Sequence, residues 1–436
     1  MTVFGADGGR HGWGYDAGAW LHQHGPEILQ AAQDPTNIGI GAAVLAGAAF
    51  AGGYGTKVGV RTLRAARNFL YAAPGEVTLG VRRTRLADYL IDPPVKLPYK
   101  DRQKGGVQIV GPTGQGKTSF MKRMIIEDAA QGHTVVCFVA DSDLGEDFEE
   151  YAEVLGLGDR FFLFDPTVAG AMKFNPLAGD PERVIRQIVD TVASVSANHA
   201  FYQDFNEDVV RHVTTLACSY AAYVGKHATI KLLLGLLTNP KVLERLLGVR
   251  STDGQTKVTA PFVAGDLKVW LEQDFLCQSE KVRREYLIGL KNLLRKLLAT
   301  ERCVDALTPK EGERVLDIGD VLDTGGILLF RAPSDALGEV ASQTLLTWAL
   351  QRFQQETFGR KRPRRPVCAY LDEAHVILGH HNGAAARSYA RWFVQSRKFG
   401  IAPHVGYQSF GQLPDLLKGV LDSSARHKLI SGGLLG

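Results

Sequence analysis

The stretch Gly111-Pro-Thr-Gly-Gln-Gly-Lys117-Thr118 matches the phosphate-binding loop G-x-x-x-x-G-K-T, or P-loop. An apolar run, Val107-Gln-Ile-Val110, precedes it, and a helix-forming segment, Ser119-Phe-Met-Lys-Arg-Met-Ile-Ile126, follows it. This strand–loop–helix context distinguishes a P-loop from a glycine-rich turn. In a P-loop, backbone N–H groups surround the phosphates at the positive end of the following helix. The motif therefore predicts an α/β nucleotide-binding fold.

The loop also indicates which residues would hold ATP and Mg²⁺, the two predicted cofactors. Lys117 would reach the β- and γ-phosphates, and Thr118 would offer its hydroxyl to Mg²⁺. The complete set of predicted nucleotide-binding residues is Gly111, Pro112, Thr113, Gly114, Gln115, Gly116, Lys117, Thr118 and Ser119.

A second part of the site is predicted far downstream, in Val367-Cys-Ala-Tyr-Leu-Asp372-Glu373. Apolar residues run up to Asp372 without a break, which is typical of a parallel strand covered on both faces. Asp372 suits the support of Mg²⁺, and Glu373 suits the base that orients and deprotonates the attacking water. A solvated turn would also explain two acidic residues at a strand end, but the P-loop in the same chain favours the catalytic interpretation.

Length and composition limit the classes of protein that fit. A chain of 436 residues with 45% apolar residues predicts two or three units with sizeable cores. The net charge of +4 is only mildly basic, so bulk charge does not argue for nucleic acid. The five cysteines have no C-x-x-C spacing, which indicates a reduced cytosolic setting without a zinc site or a disulfide framework.

An uncharged segment near the N-terminus predicts a membrane helix. Residues 36–56 contain no charged side chain, and their number suits one crossing of a bilayer. Four acidic residues and one arginine precede the segment, whereas Lys57, Arg61, Arg64 and Arg67 follow it. Positive residues stay in the cytoplasm, so we expect the C-terminal bulk of the chain there. Glycine and alanine dominate the segment, and a buried or flexible segment is the alternative.

The rest of the chain divides by its periodicity. Strand-like and helix-like patterns alternate over residues 71–181 and again over 313–436, which predicts a mostly parallel sheet. Residues 182–312 have the 3.6-residue period of helices and no convincing strand, so we predict an inserted all-helical domain. Residues 1–70 form the N-terminal segment with the membrane helix.

Two basic features allow more than one interpretation. The predicted helix over residues 279–300 places Arg284, Lys291 and Arg295 on one face, which would either contact phosphates or remain solvated. The loop over residues 359–366 contains five basic residues and would contact nucleic acid or acidic lipid, or serve as a solvated linker.

With both parts of the site placed, the chain resembles the TraG/TraD-type coupling proteins of type IV secretion, which are conjugative DNA-transfer ATPases of the FtsK–HerA superfamily. The resemblance covers residues 36–432. It rests on the order of these features: the membrane segment, the P-loop, a strand ending in Asp141, Phe174-Asn-Pro-Leu177, the helical insert, Gly325-Gly-Ile-Leu-Leu, Leu371-Asp-Glu-Ala374, Ser396-Arg-Lys-Phe-Gly400 and Gln408.

The resemblance implies a RecA-like domain and two further site residues. Gln408 matches the polar sensor at the tip of the strand beside the Asp-Glu strand. Arg397 matches the arginine supplied across a subunit interface to the neighbour's ATP, which implies a homo-hexamer. Considered without the resemblance, Arg397 near a helix end would equally well satisfy the helix dipole.

The function implied by the resemblance is an ATP-driven DNA translocase in the bacterial inner membrane, crossing it once, with the ATPase domain in the cytoplasm. Its expected partners are sequence-nonspecific, single-stranded DNA, a relaxase and the secretion channel. The chain departs from the family pattern at its end, because Gly436 follows soon after the predicted strand His427-Lys-Leu-Ile430. It also has one predicted crossing where many relatives have two.

Three other functions are compatible with the same motifs. The first is a FtsK- or HerA-like motor for chromosome segregation or phage DNA packaging. The second is the secretion-energising ATPase of the same systems, whose P-loop usually follows a longer N-terminal domain. The third is a membrane receptor that binds substrate and barely hydrolyses ATP.

Overall fold

The computed structural model describes residues 76–81, 94–140, 144, 148, 152–153, 156–196, 207–252, 255–362, 364–378 and 384–430. The strands of this part are β1 Glu76–Val81, β2 Pro94–Pro98, β3 Val107–Val110, β4 Thr134–Val139, β5 Phe161–Phe164, β6 Arg250–Thr252, β7 Gln255–Lys257, β8 Ile327–Arg331, β9 Val367–Leu371, β10 Ile401–Tyr407 and β11 His427–Ile430. Its α-helices are α1 Tyr99–Gln103, α2 Lys117–Ala130, α3 Pro181–Ser196, α4 Glu207–Tyr223, α5 Ile230–Thr238, α6 Pro240–Leu247, α7 Gly265–Val269, α8 Glu280–Leu297, α9 Glu301–Leu307, α10 Ile318–Thr324, α11 Ser334–Leu337, α12 Glu339–Gly359, α13 Ala374–Leu378, α14 Ala384–Gln395 and α15 Asp415–Ser424.

A seven-stranded sheet organises the molecule, with the strand order β11-β3-β10-β9-β4-β8-β5. Every neighbouring pair in this sheet is parallel. The predicted α/β fold with a parallel sheet is therefore confirmed, including the strand expected over residues 427–430. Strand β10 lies between β3 and β9, so the two predicted parts of the site follow strands that are two positions apart.

Hydrophobic cores cover both faces of the sheet. Successive side chains of a strand point to opposite faces. In β4, Val136 and Phe138 belong to one core, whereas Val135 and Cys137 belong to the other. This double burial explains why β4 and β9 are almost continuous apolar runs in the sequence.

Most of the predicted all-helical insert is helical, and it lies between β5 and β8 in the chain. The segments that lead into it and out of it are neighbours, since the backbone N–H of Lys173 donates to the carbonyl of Arg314 at 2.9 Å. The buried side chains of these helices share a core with one face of the sheet. The division of the chain into domains stays a prediction.

The expectation that this region contains no strand is wrong. Strands β6 and β7 form a short antiparallel hairpin, with Arg250 opposite Lys257. Its sequence signal is the Asp253-Gly254 pair between the two strands, because Asp-Gly favours two-residue hairpin turns. Strands of three residues are too short for the alternation of apolar and polar residues to reveal them.

Some predictions concern residues outside the described part of the chain. The proposed membrane segment, residues 36–56, is among them, and so is Asp141, which was expected to end a strand that the structure ends at Val139. Within the described residues, we find no helix with the length and apolarity of a membrane span.

A buried ion pair attaches α1 to the sheet domain. The guanidinium of Arg102 donates two hydrogen bonds of 2.6 Å to the carboxylate of Asp128, at the end of α2, and both side chains are fully buried. Tyr370 and His133 also contact this carboxylate, at 2.5 and 3.1 Å. Burial opposes the charged form, yet the Arg102 guanidinium holds the pKa of Asp128 well below its usual range. The pair therefore stabilises the fold above the unfolded-state pKa of about 3.9, and this stability is lost only as the pH falls through the lower folded-state pKa.

We expect Arg102→Met to lower the free energy of unfolding at pH 7 by about 3–5 kcal/mol, because Asp128 would stay buried without its cation. Urea unfolding followed by circular dichroism would measure the loss. Asp101→Asn is the control, since it removes an exposed pair with Lys104 on the same helix and should leave the unfolding midpoint nearly unchanged. Equal stability of Arg102→Met and the control would contradict this account of α1.

Candidate active site

The P-loop connects β3 to α2 and has the backbone that its glycines allow. Gly114 and Gly116 have φ angles of 79° and 80°, in the left-handed region that other residues rarely adopt. Gly116 is also the N-cap of α2, so the loop ends at the positive end of that helix. The ammonium of Lys117 donates to the carbonyl of Pro112 at 3.0 Å, across the loop. A bound phosphate would compete for the same ammonium group.

Asp372 follows β9 and is almost fully buried. Its backbone N–H donates to the carbonyl of Phe138 at 3.1 Å, which fixes it to the neighbouring strand β4. One carboxylate oxygen, Oδ1, accepts the N–H of Glu373 at 3.1 Å. The other, Oδ2, is buried without a hydrogen-bond partner among the described residues.

This buried oxygen fits the expected role of Asp372 in supporting Mg²⁺. A buried carboxylate oxygen without a donor is costly unless a cation or its water ligands satisfy it. Oxygen ligands are also what Mg²⁺ prefers, and Thr118 would contribute a hydroxyl from the start of α2. The residues present therefore fit the ion, although the assignment of Asp372 and Thr118 stays a prediction.

Glu373 and Gln408 come together although 35 residues separate them in the chain. Glu373 follows β9, and Gln408 follows the adjacent parallel strand β10. The amide Nε2 of Gln408 lies 3.4 Å from Oε1 of Glu373, at the long limit of a hydrogen bond. Glu373 has a positive φ of 49°. Every other non-glycine residue in the described part of the chain has a negative φ.

Two further residues, which were not predicted from the sequence, determine the local structure at the carboxyl ends of β9 and β10. Gln412 accepts the backbone N–H groups of Gln408 and Ser409, both at 3.0 Å, and so fixes the loop that carries Gln408. Its signal is readable, because Ser409 and Gln412 form the S-x-x-Q pattern of a capping box. Gly406 is the second: a Cβ there would lie 2.6 Å from Met121 and 3.2 Å from the Asp372 carboxylate.

The P-loop, the acidic pair and Gln408 therefore share one edge of the sheet. They follow the carboxyl ends of β3, β9 and β10, which is where ligands bind in open parallel sheets. Neighbouring strands are about 4.8 Å apart, so the ends of β3 and β9 are separated by about 10 Å. That distance leaves room for the phosphates of a nucleotide.

Arg397 lies apart from these residues. It is exposed on the short 3₁₀ helix Ser396–Phe399, immediately before β10. Gln408 follows the other end of that strand, whose seven residues span about 23 Å. Arg397 is thus at the opposite edge of the sheet from the P-loop of its own chain, and its predicted role requires a second subunit.

Structural comparison identifies the fold. The bacterial conjugative coupling protein TrwBdeltaN70, in an unbound form, matches with a TM-score of 0.53 and 17% sequence identity, over 78% of this chain and 72% of that chain. The plasmid coupling protein TrwB in complex with a non-hydrolysable ATP analogue gives 0.52 and 15%, over 76% and 70%. VirB4 of Thermoanaerobacter pseudethanolicus gives 0.52 and 14%, over 84% and 86%.

The chain has the fold of TrwB and VirB4. This confirms the α/β RecA-like fold that the resemblance to coupling proteins implied. TrwB has also been solved with ADP and Mg²⁺, with a TM-score of 0.50 and 16% identity to this chain. No family model and no curated protein sequence matches the chain.

Proposed function

We propose that the protein is a hexameric, membrane-anchored ATPase of the coupling-protein type, which moves single-stranded DNA bound to a relaxase toward a type IV secretion channel. The observation that carries the enzymatic part is the contact between Glu373 and Gln408 at the edge of the sheet that holds the P-loop. A carboxylate can accept a proton from a water molecule, and an amide can orient that water, which are the two tasks that attack on a γ-phosphate requires.

The chain's own residues would divide the hydrolysis of ATP among them. Lys117 would leave the carbonyl of Pro112 for the β- and γ-phosphates, while backbone N–H groups of the loop bind the remaining oxygens. When bound, Mg²⁺ would neutralise charge on the β- and γ-phosphates. Glu373 would accept a proton from the attacking water, and Gln408 would orient that water together with the Glu373 carboxylate. Arg397 of a neighbouring subunit would stabilise the charge of the transition state.

The basic face of α8 supports the proposal that DNA is the transported substrate. Arg284 and Arg295 are exposed on α8, and Lys291 lies half-buried between them. Partial burial and then the two arginines lower the pKa of Lys291, which indicates that each arginine is close enough to repel the Lys291 ammonium group. A row of cations favours phosphate backbones of any sequence. Arg284 also contacts Glu280, which limits the excess of positive charge at that end.

Two observations motivate the membrane and secretion parts of the proposal. The uncharged segment over residues 36–56, with basic residues on its C-terminal side, motivates one crossing with the ATPase in the cytoplasm. The shared fold with TrwB, a conjugative coupling protein, motivates the assignment to DNA transfer.

Single-stranded DNA should stimulate ATP turnover of the full-length protein by about ten-fold or more, and the stimulation should disappear steeply between about 50 and 200 mM salt because phosphate contacts release counterions. Steady-state phosphate release with an oligonucleotide of mixed sequence would measure both. A second oligonucleotide of unrelated sequence is the control and should stimulate equally. Turnover that ignores DNA would contradict the proposed substrate, while turnover too low to detect would favour the receptor.

The second candidate function is the secretion-energising ATPase of the same systems. The observation that favours it is the likeness to VirB4, which extends over 86% of that chain. ATP turnover that is insensitive to DNA but responds to purified channel components would support this candidate instead.

A further inference from the structure

The turn that carries Arg397 is held by side chains from two distant parts of the chain. Four consecutive backbone carbonyls, those of residues 397–400, each accept a hydrogen bond from a side chain. The four donors are Gln103 Nε2 to Arg397 at 3.1 Å, Arg364 Nη1 to Lys398 at 2.7 Å, Arg360 Nη1 to Phe399 at 3.1 Å and Tyr99 Oη to Gly400 at 2.7 Å. Backbone hydrogen bonds alone usually satisfy so short a turn, so this density of side-chain donors is unusual.

Two of the donors belong to the basic loop over residues 359–366, whose role the sequence left open. Arg360 is mostly buried, and Arg364 also donates to the carbonyl of Arg360 at 2.8 Å, so the loop is braced internally. The guanidinium of Arg364 lies 4.9 Å from the centre of the Phe399 ring, over the same turn. These two arginines therefore act inside the protein, whereas Lys361 and Arg362 are exposed.

The other two donors belong to α1, which is itself fixed to the sheet. Tyr99 and Gln103 stand at its two ends, and between them Arg102 makes the buried ion pair with Asp128. Burial raises the pKa of the Tyr99 phenol, so the hydroxyl stays protonated and donates at every physiological pH. The segment before α1 is β2, which pairs with β1 and is the path toward the N-terminal part of the chain.

We propose that Tyr99, Gln103, Arg360 and Arg364 are positioning residues that hold the Arg397 turn for the ATP of the neighbouring subunit. This inference rests on the proposed function, in which Arg397 acts in trans. The physical reason is that an exposed arginine has many rotamers and depends on a rigid backbone to place its guanidinium on a transition state. Because two of the donors lie on α1, a displacement of the N-terminal segment would move the turn of one subunit and so change hydrolysis in the next.

The test uses the full-length protein in detergent and two matched double variants. Arg360→Gln/Arg364→Gln removes two donors, and Lys361→Gln/Arg362→Gln removes the same charge from exposed positions of the same loop. We expect the first to lower kcat for ATP by about ten- to a hundred-fold, as displacement of a catalytic group by about 1 Å does, with an unchanged Kd for nucleotide. The second should leave DNA-independent turnover unchanged.

Rings assembled from two different variants, here called mixed rings, distinguish a positioning role from a general structural role. A Lys117→Ala subunit cannot use ATP, but it presents an intact Arg397 turn to its neighbour. Rings that contain both kinds of subunit should turn over ATP at least about three-fold faster than rings of either variant alone. The reason is that some intact P-loops of Arg360→Gln/Arg364→Gln subunits then face the intact turns of Lys117→Ala subunits. A subunit that is merely misfolded would not be rescued in this way.

Arg397→Ala, rescued in the same mixed rings, shows whether the proposed function itself holds. If Arg397→Ala is inactive and rescued while Arg360→Gln/Arg364→Gln is fully active, the positioning role is overturned and the proposed function stands. The same conclusion follows if the double variant is inactive and not rescued. If Arg397→Ala alone retains full turnover, the trans role fails and the positioning role fails with it.

Discussion

Glu373→Gln should lower kcat for ATP hydrolysis by about 10³-fold while nucleotide binding is retained. The substitution keeps the size of the side chain and its contact with Gln408, but an amide cannot accept the proton of the attacking water. The loop that carries Lys117 follows a different strand, β3, and should therefore bind phosphate as it does in the wild-type protein. Phosphate release under saturating ATP, together with the Kd for a fluorescent nucleotide, would separate these two effects.

Glu311→Gln is the matched control, because it makes the same chemical change at an exposed position. It should leave both kcat and Kd unchanged. If Glu373→Gln hydrolysed ATP at the wild-type rate, the assignment of the base would be wrong, and the Glu373–Gln408 contact would have to be explained as part of the loop structure alone.

Arg397→Ala should lower kcat by about 10³-fold, because the transition state in the neighbouring subunit would lose a cation that stabilises its charge. Arg397 precedes β10, and the P-loop lies near the other end of that strand, about 23 Å away, so the proposed role of Arg397 requires a second subunit. Turnover per subunit of the wild-type protein should therefore fall on dilution as rings dissociate. Arg397→Ala should show a low rate at every protein concentration. Measuring turnover over a range of protein concentrations, with the size of the assembly followed by light scattering, would test both expectations.

Lys398→Ala provides the control, because this cation is the next residue on the same exposed turn. It should retain turnover and its dependence on concentration. Loss of activity in Lys398→Ala with none in Arg397→Ala would assign the trans cation to Lys398 instead. Wild-type turnover that is independent of concentration down to monomers would exclude a trans residue of either kind.

The candidate active site was predictable in part because its signals are local. The P-loop is contiguous, and the strand before Asp372 is recognisable because burial on both faces leaves no polar position in it. The resemblance to coupling proteins implied that the strand before Gln408 lies beside the Asp-Glu strand, but nothing in β10 itself indicates that it also separates β9 from β3. The hydrogen-bond distance between Gln408 and Glu373 required the structure.

Charged residues were interpreted less successfully than apolar ones. No sequence pattern pointed to Arg102 or Asp128, and only the fold shows that they form a buried pair. The loop over residues 359–366 has the composition of a nucleic-acid contact, yet Arg360 and Arg364 donate to backbone carbonyls of the same chain. Guanidinium groups have five donors, and composition does not indicate whether phosphates or carbonyls will satisfy them.

The positive φ of Glu373 has a further consequence for how this protein can change over time. A side chain with a Cβ pays about 1–2 kcal/mol in that backbone region, and glycine would avoid the cost. Random mutagenesis followed by selection for thermal stability should therefore favour Gly at this position, whereas selection for the proposed ATP-driven DNA transfer should favour Glu. In the proposed function the strained backbone and the catalytic carboxylate belong to the same residue, so a substitution that improves stability is expected to lower activity.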